Sequence, residues 1–219
     1  YRVSSNVLQA DMANSYPWRG LRFVREDATF RRTLISWMLM GVGNLVMLPL
    51  RVEYLSRPDV HGALRTASQI ALMTVVVPNV ARLLTTRCWG WAFDRLNFFK
   101  LRAVLNLGFA LAILSFFTGD TFGWMLVGAT LYGVSTAGGD VAWSLWVTKM
   151  APPERVADYM AVHTFLTGVR GVVAPMIAFH AAQTLPIESI GWWCAGLVVL
   201  ANLILLPELR RPRAVLVHQ

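Results

Sequence analysis

The stretch from residue 33 to residue 50 reads TLISWMLMGVGNLVMLPL and contains no charged side chain. About 20 apolar residues in helical form cross a hydrocarbon layer about 30 Å thick, so this run predicts a membrane-spanning helix. Five similar runs follow it, at residues 66–86, 103–119, 121–148, about 156–184, and 189–207. We therefore predict an all-α, polytopic membrane bundle with six transmembrane helices over residues 33–207.

The composition supports a membrane protein. Of 219 residues, 56% are hydrophobic and 15% are charged. A typical soluble domain is about 45–50% apolar and about 25% charged. These values exclude intrinsic disorder, a disulfide scaffold and a nucleic-acid module, although the net charge is +8. We therefore expect the chain to contact membrane lipid and not to bind nucleic acid.

The basic residues predict the orientation, because loops rich in lysine and arginine stay on the cytoplasmic side. Sixteen of the 20 lysines and arginines lie before the first span, from Arg82 to Arg102, after the fourth span, or in the tail. The exception is the loop from Arg51 to Arg65, with three arginines. We predict a plasma-membrane protein with a cytoplasmic loop at 1–32 and a cytoplasmic tail at 208–219. The first segment has no signal-peptide core, so we interpret it as an internal loop.

A short motif follows the second predicted span, where residues 90–100 read GWAFDRLNFFK. It resembles the loop signature of the major facilitator superfamily, in which a glycine is followed four residues later by Asp-Arg, a turn residue and basic residues. Here Asn97, which can adopt a left-handed conformation, replaces the turn glycine, and two phenylalanines replace the expected basic residues. The glycine and proline pattern from Gly168 to Pro175 in the fifth span is also similar to that family.

The resemblance covers essentially the whole chain and implies the C-terminal half of a twelve-span facilitator, built as two three-helix units. It implies that Gly90, Asp94 and Arg95 form a gating loop, with Asp94 near the start of the fifth span. An ordinary solvated turn is the alternative for Asp94 and Arg95. The partner would be the missing N-terminal half, or a second copy of the chain.

Ionisable side chains inside a membrane are costly and are therefore candidates for function. Two helical stripes of polar residues stand out: Tyr132, Thr136, Asp140 and Ser144 on the fourth span, and Tyr159, His163, Thr167 and Arg170 on the fifth. Both stripes should face protein or water.

Residues that are equally far from the turn between these two spans lie at a similar depth in the membrane. Asp140 and His163 are equally far from this turn, so we expect them at the same depth. We predict that they form a proton-linked pair and that Arg170, about 10 Å deeper at 1.5 Å per residue, binds an anionic group. Structural roles, including an unseen acidic partner for Arg170, remain open. Asn44 and Asn79 are secondary candidates, because the resemblance implies that the first two helices of each three-helix unit line the solute path. The alternative is that these two side chains only form hydrogen bonds between helices.

These features predict secondary active transport of a small solute by alternating access, with proton coupling as a hypothesis. The alternative is a membrane scaffold or assembly factor that keeps the fold without transport. We expect no enzyme, no cofactor and no metal site, because the sequence has no metal-ligand spacing, no Gly-x-Ser-x-Gly and no phosphate-binding loop.

Overall fold

A computed structural model describes residues 17–57, 66–119 and 121–210, and in these ranges every regular element is helical. The α-helices are α1 (Pro17–Glu26), α2 (Ala28–Ser56), α3 (Ala67–Arg95), α4 (Phe98–Phe117), α5 (Phe122–Leu145), α6 (Val156–Ala182) and α7 (Ile187–Leu209). Two short 3₁₀ turns, Val147–Lys149 and Pro153–Arg155, connect α5 to α6. The prediction of an all-α chain is confirmed for the described residues.

Five segments are long and apolar enough to cross a membrane: α2, α3, α4, Pro153–Ala182 and α7. These make the chain a multi-pass membrane protein. The helix α5, which corresponds to the predicted fourth span at residues 121–148, has 24 residues but is not among the five. Its glycines, its hydroxyl side chains and Asp140 lower its hydropathy.

Polar side chains begin several of these helices by accepting hydrogen bonds from free backbone N–H groups. Asp27 accepts from the Phe30 N–H at 2.9 Å and so begins α2. Asn97 accepts from the backbone N–H groups of Phe99 and Lys100 and begins α4. Because Asn97 is in an extended conformation (φ −65°, ψ 127°), it is a helix cap, and not the left-handed turn residue that the motif suggested.

The helix α3 contains one π-helical turn, just before its proline. A π-helical turn, Leu72–Val76, separates Ala67–Ala71 from Val77–Arg95. Pro78 follows this turn, has no N–H group to donate, and its ring would clash with the carbonyl four residues earlier in a regular helix. The wider turn accommodates the proline within one continuous span.

The helices pack in the spatial order α6, α2, α7, α4, α5, α3. Thus α2 contacts α6 and α7, whereas α5 contacts α3 and α4, and α4 packs against α7. Of the residues in the most apolar stretch of each span, 56% are buried in α2 and in α4, but only 11% are buried in α3 and in the span that contains α6. The bundle therefore has its core around α2, α4, α5 and α7, with α3 and α6 on its outer sides.

Close helix packing depends on glycine at two places on α5. A Cβ at Gly133 would overlap the backbone of Pro78 on α3, and one at Gly138 would overlap Trp89 on α3 and Leu105 on α4. By contrast, a Cβ at Gly168 on α6 would meet nothing within 4 Å. The contact between α3 and α5 is thus a backbone approach that only a residue without a side chain allows.

The predicted cytoplasmic loop at 1–32 is largely helical from Pro17 onward, while residues 1–16 lie outside the described chain. Helix α1 occupies Pro17–Glu26 and packs on α6, where Phe23 stacks on Tyr159 at 4.9 Å between ring centroids. The Tyr159 hydroxyl donates to Asp27 at 3.3 Å. We call the end of the bundle marked by this contact the Asp27 end.

Three charged residues that the sequence placed in loops or in the tail lie inside helices. Arg51 is in α2, Arg102 is in α4 and Glu208 is in α7, and all three side chains are buried. Glu208 pairs with Arg32 at 2.7 Å, so the last turn of α7 is held against the first turns of α2. The predicted tail therefore begins after this ion pair, and residues 211–219 lie outside the described chain.

Candidate functional site

The charged candidate on α6 reaches across to α2. Arg170 Nη1 donates to the backbone oxygen of Trp37 at 2.6 Å, and its Nε is buried without a hydrogen-bond partner. A Cβ at Gly41 would overlap the Arg170 guanidinium. Helical side chains point toward the N-terminus of their helix, so the charge lies closer to the Asp27 end than the Cα position of Arg170 does.

His163 is fully buried among three tryptophan rings. The centroids of Trp37, Trp143 and Trp146 lie 5.7, 5.5 and 5.1 Å from the imidazole. The Trp146 indole N–H donates to His163 Nδ1 at 3.4 Å, while Nε2 has no partner. Since indole can only donate, Nδ1 must be the acceptor, and the neutral ring carries its proton on Nε2.

Arg102 is the residue that the sequence reasoning missed here, because it was counted as a loop charge. Its side chain is fully buried on α4, and Cζ lies 3.4 Å from the centroid of the Trp37 ring. None of its guanidinium nitrogens has a hydrogen-bond partner. The sequence did contain a signal for its burial. Arg102 lies four residues before Asn106, which is also buried, and residues four apart share a helix face.

We call these six residues the tryptophan–arginine cluster: Trp37, Arg102, Trp143, Trp146, His163 and Arg170. It joins α2, α4, α5, α6 and the turn after α5. The cluster holds two guanidinium groups and no carboxylate.

Asp140 has a different partner from the one that the sequence suggested. Its carboxylate binds Arg82 of α3 at 2.7 Å, and both side chains are about half exposed, at 50% and 47%. In the described chain no hydrogen bond or ion pair joins Asp140 to His163, which bonds to Trp146. Equal depth did not make them partners, because the neighbouring side chains decide the contact. The Asp140 carboxylate pairs with Arg82 of α3, whereas His163 packs against Trp143 of α5, Trp146 of the following turn and Trp37 of α2.

Three further candidates differ in burial. Asn44 donates to the Met40 sulfur at 3.0 Å, and its Oδ1 is buried without a partner. The Thr136 hydroxyl is likewise buried and unpartnered. Asn79 is exposed on α3 and bonds the Val75 carbonyl within its own helix. Inside the bundle, Asn44 Oδ1 can therefore accept a hydrogen bond and the Thr136 hydroxyl can donate or accept one, whereas Asn79 faces outward.

Arg51 forms a second cationic site toward the opposite end of the bundle. It is buried, with Cζ 3.6 Å from the Tyr132 ring centroid and 5.1 Å from that of Phe116. Its Nε and Nη1 have no hydrogen-bond partner. Its spacing of seven residues from Asn44 and fourteen from Trp37 was the signal that it lies on the inner face of α2.

The motif at the end of α3 is open to its surroundings. Asp94 is exposed, Gly90 has nothing within 4 Å of an added Cβ, and Arg95 Cζ lies 5.0 Å from the Trp91 ring centroid. The end of α3 is bound by Lys149, whose Nζ donates to the Phe93 carbonyl at 2.6 Å. In the described chain, Lys149 thus joins this motif to the segment before α6, and no hydrogen bond or ion pair joins Asp94 to the start of α6.

No group of three or more His, Cys, Asp or Glu side chains that could hold a metal occurs in the described ranges. No protein-family model matches the chain, and no curated protein matches it.

Proposed function

We propose that this chain is one half of a secondary active transporter that moves a small solute across the plasma membrane by alternating access. The observation that carries the proposal is the set of polar groups held inside an apolar helical bundle. Arg170, Arg102, Asn44 and Thr136 all have buried polar atoms without a protein partner. Such groups are costly in a membrane and are typical of solute and ion pathways.

The packing pattern supports an inverted repeat of three helices. If each helix of α2–α4 is exchanged with its counterpart in α5–α7, the contacts between helices keep the same pattern. The α2–α7 contact becomes α5–α4, and the α2–α6 contact becomes α5–α3. The α4–α7 contact maps onto itself. Inverted-topology repeats of this kind are common in secondary transporters. The exchange makes α5 the equivalent of α2, and its 24 residues reach about 36 Å, so we count it as the sixth span.

The exposed outer helices support a second bundle. Large apolar side chains on α3, such as Leu83 and Leu84, are 77% and 74% exposed, and on α6 Val172 and Met176 are 67% and 68% exposed. We propose that another six-helix bundle, from the preceding half of the same protein or from a second copy, packs against exposed faces of these two helices. The solute would then lie between the two bundles.

The charge distribution supports cytoplasmic ends. Arg22, Arg25 and Arg31 lie at the Asp27 end, as do Arg87 and Arg95 near the end of α3. Positively charged flanks are retained in the cytoplasm, so we assign the Asp27 end to that side.

We propose Asp140 as the proton-coupling residue, with Arg82 as its partner. The carboxylate is half exposed and its only ion pair in the described chain joins α5 to α3. Protonation would neutralise the carboxylate and remove its attraction to Arg82, which would favour conformations of the transporter in which these two side chains lie apart. Proton binding and helix movement would thereby be coupled.

The test uses the full-length protein in liposomes that contain a pH-sensitive dye. A panel of labelled sugars, amino acids and organic acids is added with and without an inward proton gradient. We expect one class of solute to accumulate with the gradient, and Asp140→Asn to abolish this accumulation while downhill exchange continues. Asp158→Asn, which changes a carboxylate outside the ion pair, is the matched control. Accumulation that is unchanged in Asp140→Asn would remove this residue from the coupling mechanism.

A scaffold or assembly factor is the second candidate, and one observation favours it. Phe98 and Phe99, at the positions where the family motif carries basic residues, are 5% and 1% exposed and pack in the core. Without those charges the motif has fewer ionic contacts to break and form during gating. A full-length protein that moves no solute in the panel, but copurifies with a fixed membrane partner, would support this candidate.

A further inference from the structure

Two arginines from different helices converge on one tryptophan. Arg170 of α6 donates to the Trp37 backbone oxygen at 2.6 Å, and Arg102 of α4 stacks on the Trp37 ring at 3.4 Å. One guanidinium group thus contacts the backbone of Trp37 and the other contacts its ring, and both Trp37 and Arg102 are buried. Two like charges therefore meet at one residue in the interior of the bundle.

Neither charge has an acidic partner in the described chain. Two carboxylates within the helices are held by other arginines, since Asp140 binds Arg82 and Glu208 binds Arg32. Among the residues that the structure describes, none is a hydrogen-bond partner of the three guanidinium nitrogens of Arg102 or of Nε of Arg170. The cluster carries two positive charges that the described protein does not neutralise.

The stacking on Trp37 is too weak to compensate for this burial. A cation–π contact offsets only a small part of the cost of moving an ion from water into the interior of a protein. A negatively charged group is needed to make the arrangement favourable. His163 adds a further donor, because its Nε2 is buried without a partner while Nδ1 accepts from Trp146.

We infer that the tryptophan–arginine cluster binds a small oxyanion, a carboxylate or a phosphate, and that the solute of the proposed transporter is therefore anionic. That the bound anion is the transported solute rests on the proposed function, whereas the anion-binding site itself does not depend on that function. Guanidinium groups present paired N–H donors that match carboxylate and phosphate oxygens. The indole of Trp37 and the neutral His163 ring would cover the anion from water.

Gly41 determines where the Arg170 charge lies. The guanidinium passes over this glycine, and a methyl group there would occupy its position. Gly41→Ala therefore moves the charge without removing it. This variant separates a positioned guanidinium from a general effect of positive charge.

The experiment measures anion binding by the full-length protein in lipid nanodiscs. Tryptophan fluorescence is titrated with sodium succinate or with sodium phosphate, while sodium chloride keeps the ionic strength constant. Succinamide is the uncharged control for succinate. We expect at least one of the two anions to bind with saturation and succinamide to have no effect.

Variants assign the site. A hydrogen bond to a charged group is worth about 1.5–3 kcal/mol, so Arg102→Gln and Arg170→Gln should each weaken binding roughly 10-fold to 150-fold. Gly41→Ala should weaken it as Arg170→Gln does. Arg170→Lys should retain part of the affinity. Arg87→Gln, which changes an exposed arginine on α3, should stay within a factor of two. Thermal unfolding of each variant identifies any that is misfolded, and the succinamide comparison on the unmodified protein does not depend on variants.

Each outcome decides the inference. It is overturned if neither anion binds at millimolar concentration, or if folded Arg102→Gln and Arg170→Gln bind as the unmodified protein does. An anion that binds but is not transported in liposomes would contradict the proposed function and leave the binding site intact. Transport of a neutral or cationic solute that Arg170→Gln does not change would leave the proposed function intact and overturn the inference that the transported solute is anionic.

Discussion

Replacing Gly133 with alanine tests the contact that holds α3 to the bundle. The added methyl group would overlap the Pro78 backbone, and backbone atoms cannot move aside as a flexible side chain can. Overpacking of this kind costs about 1–3 kcal/mol. Gly168→Ala on α6 is the matched control, because nothing lies within 4 Å of its Cβ. Both variants gain the same helix propensity, so the difference between them measures the overpacking alone.

The assay is thermal unfolding of the two purified full-length variants in the same detergent, followed by tryptophan fluorescence. For chains of 150–250 residues, 1 kcal/mol shifts the melting temperature by about 2–4 °C. We expect Gly133→Ala to melt roughly 2–12 °C below Gly168→Ala. Equal melting temperatures for the two variants would refute the backbone contact between α3 and α5, and with it the helix exchange on which the inverted repeat depends.

Two further predictions concern polar groups that position helices. Asn106 donates to Asn202 at 2.8 Å, which joins α4 to α7, so leucine at both sites in a double-mutant cycle should give a coupling energy of about 0.6 kcal/mol. Asn97→Ala removes the cap of α4 and should cost about 1 kcal/mol, measured as a lower melting temperature, while Asn97→Asp should keep most of the stability.

Each of these has a clear contrary result. Additive effects of the two leucine substitutions would mean that Asn106 and Asn202 do not interact. If Asn97→Gly stabilised the protein while Asn97→Asp weakened it, residue 97 would occupy the left-handed conformation of the family motif, and the extended cap would be wrong.

The sequence predicted the helices well because their signal is local. A run of apolar residues long enough to span hydrocarbon, such as 33–50, is recognisable without any knowledge of its neighbours. The main errors were at the ends. Asp27 begins a helix six residues before the predicted span starts at residue 33, and Glu208 remains in the last helix because Arg32 neutralises it.

The candidate residues were predicted less well, because their partners come from distant parts of the chain. Arg170 was recognised from its position in an apolar run, and the structure gives it a contact with Trp37 on another helix. Arg102 and Arg51 were interpreted as loop charges, since a basic residue near the end of an apolar run usually marks a membrane boundary. Stacking on Trp37 and on Tyr132 lets them lie inside.

The amino-acid sequence by itself determined the class of this protein: an apolar, multi-pass helical chain whose charges lie mainly at its helix ends. This follows from the hydrophobic effect and from the length of helix needed to cross a membrane, and both are properties of contiguous residues. Only the tertiary structure decided which charges meet. It paired Asp140 with Arg82 instead of His163, and it brought Arg102 beside Arg170. The physical reason is that depth along two helices fixes one coordinate, whereas contact also depends on how each helix is rotated and on which helices pack together.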